Sequence, residues 1–287
     1  VFEEFLNFDS SYEESKFILI PVPMELTVSY GKGTANGPAA IINSVNQLES
    51  YDVELDKEAI TAKVHTMKEL KANDAASYID LVRATTSRCI KDGKIPVVLG
   101  GEHSLSYGVF LGIADHYDDI SVVHFDSHLD LRDQYEGSVY SHASVMRRIA
   151  SHPDKIDSSV SIGIRSVSPE EASYVKDNRS NVFYAHQLYD KNYNKDIDAL
   201  LGKNVFITFD IDALDPSILP STGTPEPGGL MWYQTLDIIK TVMKGRKILG
   251  FDIVELAPDG VNHYSEFTTA KLLYKMIAYT LEYGKKA

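Results

Sequence analysis

The chain has 287 residues, 24% of them charged and 44% hydrophobic, the usage of an ordinary globular protein. That excludes a disordered chain, a coiled coil and a collagen-like fibre, and no apolar run reaches the roughly 20 residues that span a bilayer. The formal net charge of −13 disfavours nucleic acid as a partner and favours small cationic ligands. No basic, apolar leader opens the chain at Val1, and the single cysteine, Cys89, reads as a small core residue with no internal disulfide. A reducing cytoplasm is therefore the expected compartment.

Strands and helices alternate along the chain. Phe17–Val22 reads as a short buried strand, followed by a glycine-rich loop from Tyr30 to Pro38 and a helix that runs to about Tyr51. Ala62–Thr66 is a weaker strand, Ala75–Lys91 a helix, and Ile95–Leu99 a strand that ends in Gly100-Gly101. Ser104 is the candidate N-cap of a helix reaching His116. Ile120–Phe125 is the next strand and Ser141–Ala150 a short helix. Val160–Ile164 (strand), Pro169–Lys176 (helix), Val182–Ala185 (weak strand) and a helix ending over Lys195–Leu201 continue the pattern. Val205–Phe209 and Ile248–Val254 are strands on either side of a helix over Trp232–Met243, and Phe267–Tyr283 is a closing helix. This order predicts an α/β fold, a single domain over residues 1–287. About eight strands form a mostly parallel sheet, covered on both faces in three α/β/α layers. In such sheets ligands bind beyond the carboxyl ends of the strands.

Three strand ends carry metal-ligating residue types. One reads Gly100-Gly-Glu-His103, the next His124-Phe-Asp126-Ser-His128-Leu-Asp130, and a later one Phe209-Asp210-Ile-Asp212. In an extended chain, residues two and four apart point the same way. Asp126, His128 and Asp130 then project together, as do Asp210 and Asp212. If the three strands are neighbours, four carboxylates and two imidazoles converge. Four carboxylates without counter-charge repel one another, and a pair of divalent cations removes that repulsion. Carboxylate oxygens with two imidazoles and no thiolate suit manganese better than zinc.

These segments resemble the ordered motifs of the ureohydrolases, the arginase and agmatinase family, and agmatinases more than arginases. Gly223-Thr-Pro-Glu-Pro-Gly-Gly229, the loop from Ser29 to Ala40 and the segment Phe251–Pro258 extend the resemblance over most of the chain. It implies an arginase-like fold and a binuclear manganese centre. In that centre His103 and Asp130 bind one ion, His128 and Asp212 bind the other, and Asp126 and Asp210 bridge them. It also implies that His142 transfers a proton and that Glu255 binds the substrate guanidinium. Asp130 would in addition accept a hydrogen bond from the attacking group. The implied reaction is hydrolysis of agmatine to urea and putrescine by a metal-bridging hydroxide, in a homo-oligomer (trimer or hexamer).

Aminopropylagmatine, guanidinobutyrate and arginine are alternative substrates, and a non-catalytic metal-binding relative is the alternative class. The stretch Leu131–Ser138 lacks the Asn and Ser pattern of arginases, and Asp133 or Glu136 could face a distal amine. A single-zinc deacetylase would need a histidine pair and a dinuclear phosphoesterase a Gly-Asn-His motif; neither is present. A formiminoglutamate hydrolase takes an anionic substrate, which suits the acidic balance poorly. The loop at Gly31 lacks the ending of a phosphate cradle and reads as a surface loop. Gly100 and Gly101 are small enough to let a turn place His103. His65, His116, His124, His152, His186 and His263 carry no motif and read as structural or surface residues.

Overall fold

The computed structural model of the protein describes residues 10–285. In chain order its first elements are β1 (Phe17–Val22), α1 (Gly37–Val45), β2 (Tyr51–Asp52), β3 (Lys57–Glu58), β4 (Val64–Thr66), α2 (Ala75–Lys91), β5 (Ile95–Gly100), α3 (Ser106–Ala114) and β6 (Ile120–Phe125). There follow α4 (Val145–Ala150), β7 (Ile156–Ile164), α5 (Pro169–Asn178), β8 (Asn181–Tyr184), α6 (Ala185–Asp190), α7 (Asn194–Leu200), β9 (Asn204–Asp210), α8 (Trp232–Met243), β10 (Lys247–Val254) and α9 (Tyr264–Glu282). β2 and β3 form a small antiparallel pair. The other eight strands form one sheet in the order β4-β1-β5-β10-β9-β6-β7-β8, with every neighbouring pair parallel.

The sheet is covered on both faces because its strands are apolar on both sides. In β1, Phe17 and Leu19 enter one core while Ile18 and Ile20 enter the other. Helices α1, α7, α8 and α9 close the first core through Val45, Ile197, Ile239 and Leu273. Helices α2, α3 and α4 close the second through Val82, Phe110 and Ile149. This is the expected three-layer α/β/α architecture. Cys89 is buried in the second core as a free thiol. α2 starts where the Asp74 carboxylate accepts the Ser77 N–H at 2.9 Å, satisfying a donor that the first turn leaves orphaned.

Several local readings are corrected. α1 stops at Val45, because Tyr51 and Asp52 turn away to pair with Glu58 and Lys57. β7 begins at Ile156, and its first residues are partly solvated, so they show no apolar run. Ser104 is not an N-cap. It lies inside a 3-10 turn over His103–Leu105, and its hydroxyl donates to Glu102 Oε1 at 2.6 Å. α9 begins at Tyr264, and α6 takes over at Ala185, where a strand was expected to end. Among the described residues, no helix is long and apolar enough to cross a membrane.

The strand order corrects one premise of the site. β6 and β9 are neighbours, but β5 is separated from β9 by β10. The three ligand-bearing strand ends are therefore not consecutive, and the end of β10, which carries Glu255, is inserted between them.

Candidate metal centre and active site

Four central strands deliver the site. Beyond β5, a Cβ on Gly101 would lie 1.9 Å from the Met24 carbonyl oxygen. Only glycine lets the turn pass this close and present His103. Beyond β6 the chain leaves strand geometry, and Asp130 has φ 53°. A turn, rather than extended alternation, therefore gathers Asp126, His128 and Asp130, with the His128 N–H donating to Asp126 Oδ1 at 2.6 Å. Beyond β9, Asp210 Oδ1 accepts the Asp212 N–H at 2.8 Å and caps a 3-10 turn. The Arg165 guanidinium clamps that turn by donating to the carbonyls of Asp212 (2.7 Å) and Glu226 (2.7 Å). Beyond β10, Glu255 has φ 67° and its Oε1 accepts the His103 N–H at 2.6 Å.

His103 Nδ1 lies 3.0 Å from Asp130 Oδ2, 3.1 Å from Asp126 Oδ2 and 3.4 Å from Asp210 Oδ2. His128 Nδ1 lies 3.1 Å from Asp212 Oδ2 and 3.4 Å from Asp126 Oδ1. Two ligand groups result, each with donor atoms within 4.8 Å of one another. One comprises His103, His124, Asp126 and Asp130; the other comprises Asp126, His128 and Asp212. Asp126 belongs to both. The chemistry fits divalent cations: among the described residues His103 Nδ1 is buried with no hydrogen-bond partner, yet carboxylate oxygens surround it. A buried nitrogen that faces carboxylate oxygens of three residues can serve as a ligand to a divalent cation.

The electrostatics agree. Burial disfavours the protonated form of His103, but Asp126, Asp130 and Asp210 outweigh it and hold the pKa well above the imidazole range. Burial likewise opposes His128, and Asp212 with Asp126 pushes it up to about 12. Burial and the charges of Asp212 and Asp126 hold Asp210 well above the carboxylate range. Burial and Asp126 raise Asp130. Burial also works against ionised Asp126, yet His124, His103 and His128 bring it well below the usual range. Burial and Glu102 hold Glu255 well above it. Carboxylates pushed upward in this way gain from any cation placed among them.

A cavity of about 290 Å³ opens over the cluster. His103, His128, Asp130, Asp210, Asp212, Glu255 and His142 all line it, while Asp126 is fully buried beneath. His142 opens a 3-10 turn capped by Ser141, whose hydroxyl oxygen accepts the Ala143 N–H at 3.3 Å. Its ring meets Tyr135 edge-on, with centroids 5.8 Å apart. Asp133 and Glu136 do not line the cavity. Asp133 is held outward by Arg148 at 3.0 Å. The loop at Gly31 is more than surface: Ser29, Tyr30 and Gly31 form part of the wall. A Cβ on Gly31 would meet the Gly223 oxygen at 2.7 Å.

Sequence reasoning missed three contributors. His124 is fully buried within the first ligand group, its Nε2 2.8 Å from Asp126 Oδ2 and its Nδ1 3.2 Å from Ser161 Oγ. A histidine at a core position of an apolar strand, two residues before Asp126, was the available signal. Glu171 completes a capping box with Ser168 at the start of α5 and accepts the Leu131 N–H at 3.0 Å, tying α5 to the loop beyond β6. The Ser-x-x-Glu pattern marks such a box, but its reach to Leu131 depends on the fold. Thr208 joins His103 Nε2 (2.9 Å) to Asp252 Oδ1 (2.7 Å). This holds the ring from behind, as the outer contacts of ligating histidines commonly do.

Comparison with known proteins places these observations. A family model described as the Arginase family matches residues 15–279. An N(1)-aminopropylagmatine ureohydrolase from Synechocystis sp. is 35% identical over 96% of this chain and 93% of its own. An agmatinase from Bacillus anthracis is 34% identical over 88% of each chain. The crystal structure of an agmatine ureohydrolase from Thermoplasma volcanium superposes with a TM-score of 0.88 at 32% identity, covering 98% of this chain and 94% of that one. With the model match, the sequence identity and the superposition all covering most of the chain, the protein belongs to the Arginase family of C–N hydrolases.

Proposed function

We propose that this ureohydrolase hydrolyses agmatine to urea and putrescine at a binuclear manganese centre. The observation that carries this reading is the meeting of six candidate ligand side chains, five at the floor of one cavity and Asp126 buried beneath them, with Glu255 and His142 in its wall. His103 and Asp130 would hold one ion, His128 and Asp212 the other, with Asp126 and Asp210 between them. When bound, the ions supply a hydroxide nucleophile at neutral pH and a counter-charge for the carboxylates.

The remaining work falls to the protein. Glu255, buried and short of counter-charge, pairs with the planar guanidinium through parallel hydrogen bonds and holds its carbon for attack. Asp130, at the cavity surface, accepts a hydrogen bond from the attacking group. His142 delivers a proton to the departing amine, which is a poor leaving group until protonated. The arginase pattern for an α-carboxylate is absent from Leu131–Ser138, which supports a decarboxylated substrate.

N(1)-aminopropylagmatine is the second reading, favoured by relatives of that name at the same level of identity as the agmatinases. The test is urea release by manganese-loaded protein from agmatine, N(1)-aminopropylagmatine, arginine and guanidinobutyrate in separate reactions. Agmatine is expected to give the highest kcat/KM. Dominance of another guanidine replaces the substrate and keeps the site, whereas no urea from any of the four, with two metals bound, overturns the reading. Assembly as a trimer or hexamer is the accompanying expectation, checked by sedimentation.

A further inference from the structure

We propose that Thr27 is a positioning residue that fixes the tautomer and aim of His142, and that the buried Glu102 holds Thr27 for this task. The proposal rests on the proton-delivering role given above to His142.

Hydrogen-bond accounting carries it. Glu102 is fully buried and accepts four donors: Leu26 N–H (2.5 Å) and Thr27 N–H (2.6 Å) at Oε2, and Thr27 Oγ1 (2.8 Å) and Ser104 Oγ (2.6 Å) at Oε1. The single hydroxyl proton of Thr27 is therefore spent on Glu102. A hydroxyl oxygen then has two acceptor positions left. The His142 N–H fills one at 3.1 Å. His142 Nδ1 faces the other at 3.3 Å. With no proton left to give, Thr27 can only accept from that nitrogen. Nδ1 then keeps its ring proton in both charge states of His142, so Nε2 is the atom that takes up a proton and passes it on in the cavity that the residue lines. The same oxygen grips His142 by backbone and ring at once, so the ring is aimed as well as protonated at a fixed atom. Thr27 belongs to the loop that continues into Val28, Ser29 and Tyr30 of the cavity wall. Glu102 therefore ties wall and proton donor to one buried anchor beside His103.

The test uses manganese-loaded, full-length protein with agmatine, comparing T27V, T27S, H142A and the double variant T27V/H142A. Valine keeps the shape of threonine and removes the hydroxyl; T27A replaces it if T27V does not fold. T27V is expected to lower kcat on the order of tenfold, part of what a well-placed acid–base group contributes, with KM within about twofold. T27S is expected to restore kcat. T27V should add nothing once His142 is gone, because residues acting through one group are not additive. An unchanged kcat in T27V, or an equal loss on the H142A background, overturns the proposal while leaving the role of His142 intact. A loss carried by S141A instead of T27V assigns the Nδ1 contact to Ser141, whose Oγ lies 3.4 Å away, and also overturns it. Full kcat in H142A overturns the role of His142 itself, and the proposal with it.

Discussion

In protein stripped of divalent cations by a chelator, His103 and His128 carry protons that any incoming metal must displace. His128, against Asp212 and Asp126, has its pKa pushed up to about 12, and His103 is held well above the imidazole range by Asp126, Asp130 and Asp210. At a working pH of about 7.5 His128 is therefore protonated, and a metal that takes its nitrogen must displace that proton. Both imidazoles must be neutral to act as ligands, so uptake of the two ions releases at least two protons. Because these pKa values lie above neutrality, affinity rises with pH. The joint binding constant is expected to fall about a hundredfold for each pH unit of acidification around neutrality. Calorimetric titration of manganese in buffers of different ionisation enthalpy counts the protons directly. Binding measured between about pH 6.5 and 8.5 gives the same count as a slope. Proton release near zero, or affinity flat with pH, would refute the electrostatic account of the site.

Four further outcomes are expected. Asp126→Asn removes the carboxylate shared by both ligand groups and should lower kcat more than a hundredfold, with manganese stoichiometry by atomic absorption falling below two per chain. Unchanged turnover would defeat the bridging assignment. Glu255→Gln keeps the oxygen that accepts the His103 N–H but loses the charge. It should cut kcat/KM for agmatine by about ten- to a hundredfold in steady-state assays, the worth of a charge-assisted hydrogen-bonded pair. Gly101→Ala drives a methyl group against the Met24 carbonyl and should cost about 3 kcal/mol, lowering Tm by roughly 5–10 °C in calorimetry. Lys275→Met leaves Asp52, buried at 1% exposure and bonded to Lys275 at 2.7 Å, without its cation. It should destabilise by about 3–5 kcal/mol in denaturant titration, with Lys275→Met/Asp52→Asn recovering part of the loss.

What could be read in advance followed locality. Helices α2 and α8 fall where the apolar spacing put them, because periodicity is a property of contiguous residues. The six ligand candidates were visible as acid and imidazole types just beyond apolar strands. The insertion of β10 between β5 and β9 was not visible, since strand order is settled by packing between residues far apart in sequence. The left-handed backbone at Asp130 and Glu255 was equally hidden, because nothing in a carboxylate residue announces a positive φ. Thr27 and Glu102 looked unremarkable for a similar reason. Their contacts to each other and to His142 span 75 and 115 positions of the chain.

The placement of β9 and β10 at the centre of the sheet has a consequence for biosynthesis. The strands made first form two separate blocks, β4-β1-β5 and β6-β7-β8, and each presents a bare edge until the last two strands arrive to join them. During translation those edges can pair wrongly, with each other or with another chain, or wait for the ribosome to deliver residues 204–254. The side chains of the site meet only after Glu255 has been made. A chain cut short before β10 keeps all six candidate ligands but lacks Glu255 and the seam that joins its halves.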